Sequence, residues 1–207
     1  MKLTWIGHSC FRLEEDGFTI LFDPYEDGSV PGLAPVREEA DLVLCSHDHF
    51  DHNAADLVTL RTGGTNPFSI TEIPTYHDEK QGALRGLNVI RLLEKDGRKI
   101  VHFGDIGCDL TEVQKEMLSG ADLVMIPVGG YFTVDADMAA HIVQSIEAKT
   151  VIPMHFRDRS FGFDVIAPVD DFLRLFRNVE RNGCSISWDG QQEKGTVIRV
   201  LTPQNLQ

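Results

Sequence analysis

His47-Asp48-His49-Phe50-Asp51-His52 gathers three of the chain's eight histidines and two carboxylates into six consecutive positions. Imidazole nitrogen and carboxylate oxygen at that density suit zinc, manganese, iron or nickel, and a loop after a strand turns His47, His49, Asp51 and His52 toward a common point. The strand is the preceding run Asp41–Cys45, short and expected to be buried, with Cys45 as a small hydrophobe. One loop does not complete two metal shells, so further ligands are expected at later strand ends. Three candidates fit: His77 in Thr75-Tyr76-His77-Asp78, Asp105 in Phe103-Gly104-Asp105, and His155 in Pro153-Met154-His155-Phe156. Singly, each also reads as a loop histidine, a turn former or a half-buried histidine, and Asp78 offers an oxygen that competes with His77.

Outward from this cluster, period-two alternation and turn signals mark short strands throughout. Strands near Lys2–Ile6, Phe11–Glu15 and Phe18–Phe22 open the chain, the last two joined by the hairpin dipeptide Asp16-Gly17 and stopped by Asp23-Pro24. Residues 27–35 read as surface loop. A second hairpin, Leu87–Leu93 into Lys99–Phe103 through Asp96-Gly97, delivers Asp105. The second half alternates: strand Leu123–Pro127, helix near Asp137–Ala148, strand Thr150–Met154, helix near Pro168–Arg181, then strands Ser185–Trp188 and Thr196–Leu201. Met138, Ile142, Val143 and Ile146 share one helical face, and Val169, Phe172, Leu173, Phe176 and Val179 share another. Helices with one apolar stripe must lie on sheets, so the expected class is α+β, with helical layers covering mostly antiparallel sheet.

Composition bounds the rest. The chain has 207 residues, 42% of them hydrophobic, and no internal repeat or low-complexity linker, which suits a single domain spanning 1–207. A formal net charge of −13 repels phosphate backbones and anionic membranes, so nucleic acid and membrane are not expected partners and a small-molecule substrate is. Four scattered cysteines without a C-x-x-C pair, and no apolar run of membrane-spanning length, place the protein in the cytoplasm by expectation. Oligomeric state is not legible.

The order His-x-His-x-Asp-His, a later His, a Gly-Asp and a strand-end His resembles the metallo-β-lactamase superfamily of hydrolases across the whole chain. Thr4-Trp5-Ile6-Gly7-His8-Ser9-Cys10-Phe11 and Phe22-Asp23-Pro24 look like its branch of ascorbate-6-phosphate lactonase-like proteins. The resemblance implies a four-layer αββα sandwich of two mixed, mostly antiparallel sheets. It also implies two divalent metal ions, zinc or manganese before iron or nickel. Carried over, it places His47, His49 and His77 on one metal, Asp51, His52 and His155 on the other, and Asp105 between them. Water activated by such a pair attacks an ester-type bond, with Asp51 as ligand and as the residue that orients or deprotonates the water. A lactone, phosphorylated or not, is the leading substrate. A small phosphodiester, or a non-hydrolytic di-iron redox or metal-binding role, is the alternative.

Around this set, His8 is a pocket candidate, and Asp23 is a candidate partner for a ligand histidine or a strand-end cap. Tyr131, in a loop after a strand, and Arg157 and Arg159, beside His155, are candidates for substrate contact, the arginines for a phosphate or carboxylate. His102 and His141 read as structural, and Cys108 is given no catalytic role.

Overall fold

The computed structural model describes residues 1–188 and 195–207. The first half contributes β1 (Lys2–Gly7), β2 (Cys10–Glu15), β3 (Phe18–Phe22), β4 (Glu39–Ala40), β5 (Leu42–Leu44), β6 (Thr59–Leu60), β7 (Ser69–Tyr76) and β8 (Leu87–Lys95). There follow β9 (Arg98–His102), α1 (Glu112–Leu118), β10 (Leu123–Pro127), α2 (Ala136–Ser145) and β11 (Thr150–Met154). The last elements are α3 (Asp170–Leu173), β12 (Val179–Arg181), β13 (Ser185–Ser187) and β14 (Val197–Val200).

Two principal sheets form. The order is β13-β1-β2-β3-β5 in one and β12-β14-β11-β10-β9-β8-β7 in the other. A continuous buried cluster takes in Leu3, Trp5, Phe11 and Phe22 from the first and Ile90, Val101, Val124, Ile152 and Ile198 from the second. Both sheets are mixed. The first is antiparallel apart from the β3–β5 pair, whereas the second is antiparallel only across β7–β8–β9 and parallel from β9 through β12. The parallel part follows from α1 and α2, which carry the chain from the end of one strand back to the start of its neighbour.

The hairpins at Asp16-Gly17 and Asp96-Gly97 form as expected, with both residues of each pair at positive φ. Four expectations need correction. β5 is half-buried because it lies at a sheet edge. The segment 27–35 is a loop, but Val30 and Leu33 tuck into the core. Met138 is 36% exposed, and the buried face of α2 is Ala139, Ala140, Ile142 and Val143. The helix anticipated over Pro168–Arg181 stops at Leu173, because residues 179–181 pair in parallel with β14 and cover its free edge. β7 and α1 went unanticipated, although α1 carries a complete capping box between Thr111 and Gln114. The one-domain expectation takes in residues 189–194, which lie outside the described residues.

Candidate metal centre

The chemistry-bearing residues sit where strands end. His8 follows β1, Asp23 follows β3, His77 follows β7, Asp105 comes three residues after β9, and His155 follows β11. At three of these ends the chain turns through the left-handed region: φ is 53° at His8, 42° at Asp23 and 51° at His155. Such backbone costs a non-glycine residue about 1–2 kcal/mol and persists only where packing enforces it. Here the His8 carbonyl accepts from Trp5 Nε1 at 2.9 Å and from the His155 amide at 3.4 Å, tying the end of β1 to the end of β11. Gly104 also has positive φ, 56°, and a Cβ there would lie 2.3 Å from Asn88 Oδ1 and 2.4 Å from Ser46 Cβ.

Seven of the predicted metal ligands converge. Donor atoms of His47, His49 and His77 lie within 4.8 Å of one another, and so do those of His8, Asp51, His52 and His155. Asp105 Oδ2 stands between the two groups, 3.2 Å from His52 Nε2, 3.4 Å from His77 Nε2 and 3.1 Å from His155 Nε2. His8, anticipated only as a pocket residue, joins the second group, its Nε2–H directed at Asp51 Oδ2 at 3.3 Å. Asp78 does not compete for this place: its carboxylate accepts from the amides of Lys80, Gly82, Leu84 and Arg85.

A supporting layer fixes these groups. Asp23 accepts from His52 Nδ1 at 2.8 Å and from the Ser46 amide and hydroxyl at 2.7 and 2.6 Å, and Ser46 Oγ lies 2.9 Å from His47 Nδ1. His52 therefore points its other nitrogen at Asp105. Asn88, fully buried, accepts from the Asp105 amide and donates to the Phe103 carbonyl, holding the Gly104-Asp105 turn. His102 stays structural: Nε2 faces the Ser9 carbonyl at 2.9 Å, Nδ1 accepts from the Gly104 amide, and its ring stacks on Phe22.

Electrostatically the centre favours a cation. Burial and neighbouring imidazoles push His8 down to about 4 and His47 to about 3, so both present neutral, lone-pair-bearing rings. Burial would raise Asp51 and Asp105, but hydrogen bonds and charge from the surrounding histidines outweigh it and hold both carboxylates below their usual range. Burial opposes charge on His52 too, yet Asp105 and Asp23 raise its pKa, so the field at this ring draws positive charge, which a proton or a bound cation supplies. Nε2 of His47, His52 and His155 and Oδ1 of Asp105 are buried with no hydrogen-bond partner. Orphaned groups of this kind cost about 1–3 kcal/mol each, and bound divalent cations satisfy them together. The residues present fit a metal centre.

Above the donors lies a cavity of about 260 Å³. His49, Asp51, His77, Asp105 and His155 line its metal side, and Phe50, Phe132, Phe163 and Arg85 form the rest of the wall. Of the substrate-contact candidates, Arg157 and Arg159 are absent from that wall. The left-handed turn at His155 sends the chain away from the cavity to bridge Pro168, with Arg157 Nε donating to the Ile166 carbonyl at 2.7 Å. Tyr131 is 66% exposed and lines a neighbouring groove instead, packed edge-on against Phe132. Phe132 lies in the loop after β10 from which substrate contact was expected, next to Tyr131, whereas sequence reasoning missed Arg85, Asn88 and Phe163. Only Asn88 left a trace, as a polar residue inside the alternating run Leu87–Leu93.

Two sheets meeting over a histidine and aspartate cluster of this order define a metal-dependent hydrolase with the metallo-β-lactamase fold. The chain belongs to that superfamily: residues 2–155 match the family model of the Beta-lactamase superfamily domain. Among curated relatives, a UPF0173 metal-dependent hydrolase of Hyperthermus butylicus is 28% identical over 194 residues, covering 73% of this chain and 82% of its own. Another from Nitratidesulfovibrio vulgaris, strain Hildenborough, is 30% identical, covering 75% and 80%. A crystal structure from Thermotoga maritima, of a candidate Zn-dependent hydrolase of the metallo-β-lactamase superfamily, superposes with a TM-score of 0.76 at 32% identity, covering 97% of this chain and 98% of that one.

Proposed function

We propose that the protein is a dinuclear hydrolase acting in the cytoplasm on an ester-type bond of a small molecule, with a lactone as the leading substrate. The observation that carries the reading is the pair of donor groups with Asp105 between them, four of their polar atoms orphaned, two of these, on Asp105 and His155, belonging to residues that line one cavity. His47, His49 and His77 would hold one divalent cation, and Asp51, His52 and His155 the other, with Asp105 reaching both. Two such cations supply Lewis acidity, lowering the pKa of water and polarising the substrate oxygen.

The chain's own residues do the rest. Asp23 fixes the ring orientation of His52. Asp51 presents Oδ2 as proton acceptor, and the hydrogen bond from His8 Nε2 fixes that carboxylate's rotation. The three phenylalanines exclude water from the reacting bond. The cavity's volume supports a small substrate over a polymer, and four free thiols support a reducing compartment.

The test is elemental analysis of protein purified without added metal or a histidine tag, followed by turnover of lactones, thioesters and chromogenic phosphodiesters with and without chelator. About two zinc or manganese ions per chain and chelator-sensitive lactone hydrolysis are expected. About two irons without hydrolysis would replace the reading with a redox one, and no metal even after reconstitution would overturn it.

A further inference from the structure

We propose that Arg85 forms an anion subsite in the cavity, so that the substrate is a small ester bearing a carboxylate or phosphate next to an apolar body. The inference rests on the hydrolase reading and names the substrate class of the same site.

Arg85 is the one cationic side chain of the wall described above, in a chain of net charge −13. Among the described residues most arginines lie against carboxylates, such as Arg12 on Glu38, Arg37 on Asp27 and Arg61 on Asp41. Among the described residues, no carboxylate lies within ion-pair distance of Arg85. One NH2 group donates to the Tyr131 carbonyl at 3.0 Å, and the guanidinium lies over the Phe132 ring, 5.7 Å from its centroid. Of the five N–H donors a guanidinium carries, this accounts for one, so a planar edge remains for a carboxylate or phosphate.

The position is built. The Arg85 amide is one of four that Asp78 gathers, so the loop between β7 and β8 is rigidly organised around a buried carboxylate. The aromatic side chains of the wall, Phe50, Phe132 and Phe163, have no polar atoms and accept only an apolar or planar group. A cation at one end, apolar walls and the metal donors on the floor together select an anionic ester whose charge sits to one side of the scissile bond.

The experiment compares metal-loaded wild type, Arg85→Gln and Arg85→Lys on 4-nitrophenyl hydrogen succinate, which is anionic, and its neutral methyl ester. Arg85→Gln is expected to cut kcat/KM for the anionic ester about tenfold or more, mainly through KM, and to change the neutral one less than twofold; Arg85→Lys falls between. Calorimetric titration of the same proteins with benzoate, phenylphosphonate and benzamide gives a readout independent of turnover. Wild type is expected to bind an anion more tightly than the amide and Arg85→Gln to lose that preference, the stronger anion telling carboxylate from phosphate. If neither ester is cleaved but the preference depends on Arg85, the hydrolase reading fails and the subsite stands. If the esters are cleaved and Arg85→Gln affects both equally or neither, the subsite is overturned and the hydrolase stands.

Discussion

Asp51 is held from two sides, by His8 Nε2 at 3.3 Å and His52 Nε2 at 3.7 Å, and it lines the cavity beside Asp105. Asp51→Ala is expected to lower kcat by a factor of about 10² or more; a purified variant with full turnover and full metal content would refute the assignment. His102 offers a test away from the donors. Burial pushes its pKa down, and its contacts at Ser9 and Gly104 require the neutral ring with the proton on Nε2. Its folded pKa therefore lies below the unfolded one, so its stabilisation is complete above about pH 6.5 and is lost as pH falls through that value, where the unfolded chain takes up the extra proton. Urea unfolding of wild type and His102→Gln at pH 8 and pH 5.5 is expected to show a shallower pH dependence for the variant, by up to about one proton. Equal slopes would place the titration elsewhere.

Turns at strand ends do the positioning, and Gly104 is the most demanding of them. Gly104→Ala brings a Cβ against Asn88 and Ser46 at positive φ, and is expected to cost about 1–3 kcal/mol and to weaken metal uptake by displacing Asp105. Thermal unfolding and metal content of the variant measure both, and wild-type values for each would refute the placement. Strand-end histidines were readable because a local sequence pattern carried them: six consecutive positions for His47–His52, and an apolar run before His155. Arg157 misled for the same local reason, since adjacency to His155 says nothing of a left-handed turn that sends the next residues elsewhere. Arg85 was illegible because its place depends on Asp78 folding the loop around itself. The helix expected through Val179 failed because an apolar stripe does not reveal an open strand edge waiting to be paired, and tertiary pairing overrides such a stripe.

At the scale of the molecule, the centre cross-links segments from His8 to His155, drawing on both sheets. Metal bound only by the folded chain stabilises it by mass action, so chelation is expected to lower Tm by roughly 5–15 °C, with recovery on adding metal back. A Tm unmoved by proven metal loss would mean that the donors are held apart from the folding equilibrium. The layered architecture itself was legible, since α+β alternation and the hairpins at Asp16-Gly17 and Asp96-Gly97 are encoded locally. The parallel half of the larger sheet was not, because strand order is a property of crossovers rather than of strands. That order has a consequence for a chain still being made. His47, His49 and His77 emerge early, but His155 rides on β11, whose outer neighbour is β14, residues 197–200. The first donor trio is thus made early, while the second group is complete only when nearly the whole sequence has emerged, so synthesis itself orders which part of the centre exists first.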